Sequence, residues 1–284
     1  MIAVTGANGN LGRLVITGLM KAIPADHIVA CVRRPAEVDD LRALGVRIRN
    51  ADYDLPETLD AAFEGVEKVL LISAVQPGER LRQHKAVIDA AKRGGVKLIA
   101  YTSMLRADTS SLSLAGEHKA TENYLKDSGL DFVLLRNGWY LENHTAALVP
   151  ALAHGAIIGC AGAGRFASAS RDDYAGAAVA VLTQPGHTNR TYELVGDYAY
   201  SMTEFATEVS RQSGKTIVFN NLPPADYEGA LTGLGLPKMI IDVLIDADVK
   251  SSQGELDSSA RDLAKLLGRN TTPFSEAIAA ALNA

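Results

Sequence analysis

The chain opens with Met1-Ile2-Ala3-Val4-Thr5, and Gly6-Ala7-Asn8-Gly9-Asn10-Leu11-Gly12 follows without a break. The first five residues have the length and the apolar composition of a buried strand. The three glycines permit a tight turn and a close approach of the backbone to a ligand, and a helix that begins here offers free N–H groups to an anion. We therefore predict a strand–turn–helix unit in which all seven residues from Gly6 to Gly12 contact a dinucleotide.

Apolar runs and amphipathic segments alternate along the first half of the chain. Strands are predicted near 1–5, 27–32, 46–50, 68–72, 97–102 and 131–136, and helices near 11–22, 36–44, 56–63, 80–93 and 116–127. Four glycines are expected to close helices: Gly45, Gly65, Gly94 and Gly129. This rhythm is typical of βαβ units. We predict an α/β fold, a Rossmann doubly wound parallel sheet, over residues 1–153.

The second half has a looser pattern. It contains a predicted helix near 171–183, predicted strands near 191–195 and 216–219, and three helical stretches to the C-terminus. Ser201 and Glu204 have the spacing of a capping box, which predicts the start of a further helix. We expect 154–284 to form a smaller C-terminal α/β substrate-binding domain, with some later segments returning to the first domain.

Composition and charge exclude several classes of function. The chain is 47% hydrophobic and 21% charged, which is ordinary for a soluble globular protein. The net charge is -5 and no basic run reaches five residues, so a nucleic-acid partner is not expected. The histidine spacings fit no metal site, and neither a hydrolase elbow nor a Walker loop occurs, so we expect no metal and no hydrolytic chemistry.

Cysteine usage and the N-terminus indicate a reducing compartment. Cys31 and Cys160 are isolated and offer no disulfide framework. The first strand begins at once and leaves no room for a signal peptide, and no apolar run approaches the roughly 18 residues of a membrane span. We expect a cytoplasmic protein with no membrane span. The sequence leaves a homodimer open.

The end of the second predicted strand indicates which dinucleotide is bound. Arg33 and Arg34 follow Val32, at the point where an NAD enzyme needs Asp or Glu for the ribose 2′-hydroxyl. A cation there accommodates a 2′-phosphate instead. We predict NADPH, held by Arg33 with Arg34 in support. The alternative is that both arginines only solvate a strand end.

Other strand ends should line the same cleft, because ligands of open α/β sheets bind outside the carboxyl ends of the strands. Small residues follow the fourth strand, hydroxyl residues follow the fifth, and a carboxylate that could bond the adenine amine follows the third. The candidate cofactor contacts are Asp52, Ser73, Ala74, Val75, Thr102 and Ser103.

Five stretches together resemble one family. They are Met1–Gly12, Ile28–Pro35, Gln83–Ser103, Leu134–Tyr140 and Ser168–Tyr174. The chain is similar along its whole length to the NmrA-like branch of the atypical short-chain dehydrogenases/reductases, and within it to the bacterial NADPH-dependent quinone oxidoreductases, with triarylmethane reductases as a related group. The resemblance implies a Rossmann domain with a smaller C-terminal domain. It also implies cofactor contacts from Asn137, Gly138, Trp139, Tyr140, Leu141, Glu142 and Ser168.

One departure from the wider superfamily bears on the chemistry. Ordinary members use a Tyr-x-x-x-Lys pair as proton donor, and none of the nine tyrosines here has Lys at that spacing. The catalytic lysine of lignan-pathway relatives falls at or beside His118. His118 and Lys119 are therefore our candidate catalytic donors, with two solvated residues on a helix face as the alternative.

Three residues are expected to meet the substrate. Tyr140 and Phe166, with Trp139, could stack on a planar acceptor, although aromatic residues often belong to the core. His144 lies four residues beyond Tyr140 and shares its face if 140–152 is helical. A surface position is the alternative for His144.

The missing tyrosine favours an acceptor that stabilises its own added electrons. A reduced ketone carries a full alkoxide charge and needs a positioned acid, whereas a reduced quinone is a delocalised hydroquinone anion. We predict an enzyme that transfers a hydride from NADPH to a quinone without flavin. The alternatives are a carbonyl or triarylmethane-dye reductase, and a regulatory protein that senses NADP(H) and catalyses nothing.

Overall fold

A computed structural model describes residues 1–74, 76 and 78–283 of the chain. Its strands are β1 (Ile2–Val4), β2 (Ile28–Val32), β3 (Arg47–Asn50), β4 (Lys68–Leu71), β5 (Leu98–Met104), β6 (Asp131–Asn137), β7 (Ala156–Gly159), β8 (Arg165–Phe166), β9 (Arg190–Leu194), β10 (Tyr200–Ser201) and β11 (Val218–Asn221). The first six match the strands that apolar runs predicted.

The helices in the same residues begin and end as follows. They are α1 (Asn10–Leu19), α2 (Asp39–Ala43), α3 (Pro56–Ala62), α4 (Arg80–Arg93), α5 (Ala115–Asp127), α6 (Leu141–Thr145), α7 (Leu148–His154), α8 (Arg171–Thr183), α9 (Met202–Ser213), α10 (Pro224–Gly233), α11 (Lys238–Ser251), α12 (Asp262–Leu267) and α13 (Phe274–Leu282). The capping box is confirmed, because the Ser201 and Glu204 side chains each bond the other's backbone N–H at the start of α9.

Within the described ranges, seven parallel strands form the central sheet in the order β3-β2-β1-β4-β5-β6-β9. Alternate residues of each strand enter separate cores on its two faces, Ile28 and Ala30 on one and Val29 and Cys31 on the other. Helices α1 and α8 pack together on the first face, and α3, α4 and α5 cover the second. The predicted doubly wound fold is confirmed.

The order of the strands determines where a ligand can enter. The chain moves outward from β1 to β2 and β3, and then resumes on the other side of β1 with β4, β5 and β6. The loops after β1 and β4 therefore separate above the sheet and leave a crevice, which is where open α/β sheets bind ligands.

Later segments form both a second layer and part of the central sheet. The strand β7 pairs with β11, and β8 pairs with β10, around a third core that includes Phe166, Tyr200 and Phe205. In contrast, β9 extends the central sheet beside β6, and α8 packs on α1. The chain thus returns to the first layer after residue 153. The boundary between 153 and 154 stays a prediction.

Two details of the predicted elements were wrong. The described residues after β11 form four helices instead of three, because Gly235, with φ of +77°, ends α10 and Pro237 precedes α11. The segment 140–152 is two short helices, α6 and α7. In contrast, Gly94 is the C-cap of α4 as predicted, and the residue with a positive φ is the following Gly95, at +72°.

Candidate active site

Two connected chambers open above the carboxyl ends of the central strands. The β2–β3 chamber has a volume of about 690 Å³ and lies over the ends of β2 and β3. The β5–β6 chamber has a volume of about 390 Å³ and lies over the ends of β5 and β6. Both are lined by Gly6, Gly9, Ile72, Ser73 and Ala74. The chambers therefore form one groove that follows the crevice between β1 and β4.

The turn after β1 is tightly packed, because a side chain at Gly12 would require the backbone to move. Gly6 has φ of +58°, and the Gly9 N–H donates to the Gly6 carbonyl at 2.9 Å. A Cβ atom on Gly12 would lie 2.4 Å from that same carbonyl oxygen and 2.8 Å from the Ala7 Cα. The first turn of α1 is thus pressed directly onto the loop that precedes it.

The N-terminus of α1 is open toward the groove. Gly9 provides no side-chain cap, and among the described residues the N–H groups of Asn10, Leu11 and Gly12 have no acceptor. Such a terminus favours an anion through its N–H groups and its dipole. Asn8 lines the β2–β3 chamber, whereas Ala7 is fully buried beneath the turn.

The β2–β3 chamber carries the predicted cations at its rim. Arg33 is exposed, and the described part of the chain places no carboxylate within 4 Å of its guanidinium. Arg34 pairs with Glu37 at 2.7 Å. Asp52 also lines this chamber. Sequence reasoning missed Tyr53, whose hydroxyl donates to the Ile72 carbonyl at 3.2 Å and whose burial raises its pKa.

The loop after β4 is held by side chains from neighbouring elements. The Ser73 N–H donates to Thr102 Oγ1 at 2.9 Å, and the Ala74 N–H donates to His84 Nε2 at 2.8 Å. His84 must accept at Nε2, so Nδ1 carries its proton, and burial lowers the pKa of this histidine to about 3. Val75, another predicted contact, lies outside the described residues.

Arg80 is the main residue of the site that sequence reasoning missed. Its side chain is 4% exposed, yet it lines the β5–β6 chamber. Nη1 pairs with Glu117 Oε2 at 2.7 Å, and Nε donates to the Ala74 carbonyl at 3.0 Å and to Ser73 Oγ at 3.2 Å. As the first residue of an amphipathic helix, it had no sequence signal that separated it from a surface arginine.

His118 lines the groove, and its ring is held by a buried tyrosine. The Tyr101 hydroxyl and His118 Nδ1 are 2.7 Å apart. Burial raises the pKa of Tyr101, so the phenol keeps its proton and donates it to Nδ1. Burial, and then the positive charge of Arg80, hold the pKa of His118 well below its ordinary value. His118 is therefore a neutral imidazole in which Nε2 carries the proton. The residue lines the β5–β6 chamber.

The other predicted donor has no geometric support. Lys119 is exposed outside both chambers, because it lies about 100° around α5 from His118. Its Nζ donates to the Asp108 carbonyl at 3.2 Å. Ser103 does line the β5–β6 chamber. Its hydroxyl donates to Glu122 Oε1 at 2.6 Å, and Glu122 also binds the buried Arg136.

Two polar atoms at the end of β6 are buried without a hydrogen bond from any residue that the structure describes. They are Asn137 Oδ1 and Trp139 Nε1, and both residues line the β5–β6 chamber. Gly138 is closely packed, since a Cβ there would lie 3.1 Å from Val195 Cγ1. Tyr140 lines the same chamber, and its ring carries the Arg171 guanidinium 5.0 Å from the centroid.

Besides the buried Ala7, three predicted cofactor contacts lie outside both chambers. Leu141 is fully buried in the third core. Glu142 faces Arg171, whose backbone N–H donates to Glu142 Oε1 at 2.8 Å. Ser168 is 3% exposed and does not line the groove.

The structure does not support His144 and Phe166 as substrate contacts. Both are buried in the third core, with their rings edge to face at 4.7 Å. His144 Nδ1 bonds the Tyr200 hydroxyl at 2.7 Å, and burial lowers the pKa of His144 to about 3. The prediction was wrong because the break between α6 and α7 and the packing of α9 turn this face inward, so His144 is a core residue and not a surface one.

One helix of the C-terminal part covers the groove along its length. Met239, in the first turn of α11, lines the β2–β3 chamber. Val243, Asp246 and Ala247, one and two turns later, line the β5–β6 chamber. The Ser113 N–H donates to Asp246 Oδ2 at 2.8 Å and ties the loop between β5 and α5 to this helix.

The described residues hold no group of three or more His, Cys, Asp or Glu side chains arranged to bind a metal ion. Among the same residues, no helix combines the length and the apolar character that crossing a membrane requires.

Fold and groove together define a dinucleotide-binding protein of the Rossmann class, with a second chamber beside the nucleotide position. The chain belongs to the NAD(P)H-binding family, whose model matches residues 6–185. The predicted resemblance to the NmrA-like reductases is confirmed.

Two relatives illustrate this membership. The chain is 50% identical over 283 residues to quinone oxidoreductase 2 of Escherichia coli (strain K12), covering 100% of this chain and 99% of the relative. The crystal structure of the NADPH-dependent E. coli quinone oxidoreductase with NADPH superposes with a TM-score of 0.96 and full coverage of both chains. Triphenylmethane reductase of Citrobacter sp. with NADP(H) is 36% identical, covers 99% of this chain and 100% of that one, and has a TM-score of 0.95.

Proposed function

We propose that this protein is an NADPH-dependent quinone reductase. The observation that carries the proposal is the β5–β6 chamber, which adjoins the nucleotide groove and presents a neutral histidine in place of a Tyr-x-x-x-Lys acid. The E. coli relative, at 50% identity over the full length, supports the same activity. NADPH, when bound, would supply a hydride, equivalent to two electrons and one proton, which would convert a quinone to a hydroquinone anion.

The residues of the groove fit the proposed cofactor. The crowded Gly12 and the open N-terminus of α1 suit a pyrophosphate. Arg33, which has no carboxylate within 4 Å among the described residues, suits a 2′-phosphate, and Asp52 and Tyr53, which line the same chamber, would hold the adenine. The orphaned Asn137 Oδ1 needs a donor, which a carboxamide NH₂ would provide.

The acceptor chemistry then needs little acid catalysis. The hydroquinone anion delocalises its charge, and His118 Nε2–H would donate a hydrogen bond to the oxygen where that charge is largest. The Arg80 guanidinium, whose charge is balanced by Glu117, lines the same chamber and helps to keep the His118 ring neutral. Water then supplies the proton that completes the hydroquinone, so no protein group has to ionise during turnover.

The setting of the enzyme follows from the same proposal. Residues 154–284 act as the substrate part, because α11 forms the cover of both chambers. The partner is a small planar acceptor rather than a nucleic acid. Both cysteines are free and buried, which supports the expected cytoplasmic location.

A panel of acceptors tests the proposal. NADPH oxidation is followed with a naphthoquinone, an isolated ketone and a triarylmethane dye, and we expect the naphthoquinone to give the largest kcat/KM. Turnover confined to the ketone or the dye would replace the proposal with the corresponding reductase. Tight NADPH binding without turnover of any acceptor would instead indicate a sensor.

A further inference from the structure

The side of α11 that faces the groove contains one charged residue. Val243, Asp246 and Ala247 share a face of the helix, because residues three and four apart are neighbours on its surface. Val243 and Ala247 are apolar, as are Leu112 and Leu114 on the loop opposite. Asp246 therefore brings a carboxylate into a chamber that is otherwise largely apolar at this end.

The charge of Asp246 has no neutralising partner nearby. Its Oδ2 accepts the Ser113 N–H at 2.8 Å, and within the described ranges no Lys, Arg or His side chain lies within 4 Å of it. The other charges of the β5–β6 chamber are compensated. Arg80 pairs with Glu117 at 2.7 Å, and Arg171 lies 3.8 Å from Glu142.

We propose that Asp246 determines the charge class of the acceptor, so that the chamber takes neutral or cationic planar acceptors and rejects anionic ones. This inference rests on the proposed quinone reduction, since it concerns the substrate of the same chamber. The Coulomb repulsion between the Asp246 carboxylate and an anionic group about 10 Å away would weaken acceptor binding about 4- to 20-fold when the effective dielectric constant is about 20 to 40.

A substitution can remove this charge and keep its local structure. In Asp246→Asn an amide oxygen can still accept the Ser113 N–H, so the loop between β5 and α5 stays attached to α11. The matched control is Asp242→Asn on the same helix, because Asp242 is exposed outside both chambers and pairs with Lys238. Both variants lose one negative charge, and only one loses it from the chamber.

The experiment compares 1,4-naphthoquinone with its 2-sulfonate, which carries a permanent negative charge. The ratio of kcat/KM for the sulfonate to kcat/KM for the neutral quinone is measured in each protein, so that the different reduction potentials of the two quinones cancel between proteins. We expect Asp246→Asn to raise this ratio about 4- to 20-fold and Asp242→Asn to leave it within about twofold of the unsubstituted protein.

A binding readout makes the result independent of turnover. Trp139 is the only tryptophan of the chain and lines the β5–β6 chamber, so its fluorescence reports acceptor binding. With NADP⁺ present, the sulfonate should bind Asp246→Asn more tightly by the same factor.

The two ways to fail are distinct. No turnover of either quinone overturns the proposed function, and the fluorescence titration then still tests Asp246. Turnover with the same ratio, or the same sulfonate affinity, in both variants overturns the assignment of Asp246.

Discussion

The two chambers of the groove are built in different ways. The β2–β3 chamber and the glycine turn use mainly backbone groups and residues that follow β1, β2 and β3. The β5–β6 chamber uses side chains from segments far apart in the chain, among them Arg80, His118, Asn137 and Asp246. Recognition by the backbone imposes residue types on a short stretch of sequence, whereas recognition by assembled side chains depends on the fold. Substitutions in the β2–β3 chamber and the glycine turn should therefore alter cofactor binding, and substitutions in the β5–β6 chamber should alter the reaction with the acceptor.

The largest effect is expected at the turn that both chambers share. In Gly12→Ala the new Cβ would lie 2.4 Å from the Gly6 carbonyl, so the turn must move away from its ligand position. We expect NADPH affinity to fall about 100-fold or more and stability to fall by about 1–3 kcal/mol. Calorimetric titration and urea unfolding measure the two effects.

Gly229→Ala is the control for that substitution. Gly229 lies within α10 and a Cβ there meets nothing within 4 Å. Alanine should therefore stabilise this helix by up to about 1 kcal/mol and leave NADPH affinity unchanged. Equal losses in both variants would show that Gly12 has no special role.

A smaller effect, confined to the acceptor, is expected at His118. His118→Ala removes the neutral N–H donor, and kcat/KM for naphthoquinone should fall about 10- to 100-fold while NADPH affinity stays the same. Tyr101→Phe should cost less, because it only releases the ring from its fixed tautomer. Lys119→Ala should change nothing, since Lys119 lies outside the chambers. An unchanged kcat in His118→Ala would remove this residue from the mechanism.

An effect of similar size, but on the cofactor instead of the acceptor, is expected at Arg33. Arg33→Ala should lower kcat/KM for NADPH about 10-fold through the loss of a charge-assisted contact, and leave kcat/KM for NADH unchanged. Arg34→Ala should have a weaker effect, because Arg34 already pairs with Glu37. Similar kcat/KM values for NADPH and NADH in the unsubstituted protein would contradict the role of Arg33.

The smallest effect is expected from pH. The pKa of His118 lies well below its ordinary value of 6.5, so the ring stays neutral as the pH falls past that value. We therefore expect kcat/KM for the quinone to change less than about twofold between about pH 6 and pH 8. A histidine that donated a full proton would instead give a rate that rises as the pH falls through 6.5. Initial rates need correction for acid decay of NADPH.

The contrast between the chambers also explains what the sequence could predict. The turn from Gly6 to Gly12 and the Ser201 capping box are local, because their chemistry needs particular residues at fixed spacing. Sequence reasoning missed Arg80 and Tyr101. An arginine at the start of a helix usually lies at the surface and a tyrosine in a strand usually belongs to the core, and only the fold shows that both lie near His118.

The wrong assignments have the same origin. His144 and His118 are both buried neutral histidines bonded to a tyrosine. His144 is a core residue only because α9 and α13 pack around it. His118 reaches the groove because α5 lies over β5. Nothing in the spacing of either histidine distinguishes the two environments.

The central claim is that hydride passes directly from NADPH to a quinone in the β5–β6 chamber. A single-turnover measurement with flavin-free protein, naphthoquinone, and NADPH deuterated at the transferred position tests it most directly. The account predicts oxidation of one NADPH per site without added flavin, at a rate that deuterium slows. Turnover that begins only when flavin is added, or no oxidation at all, would contradict it.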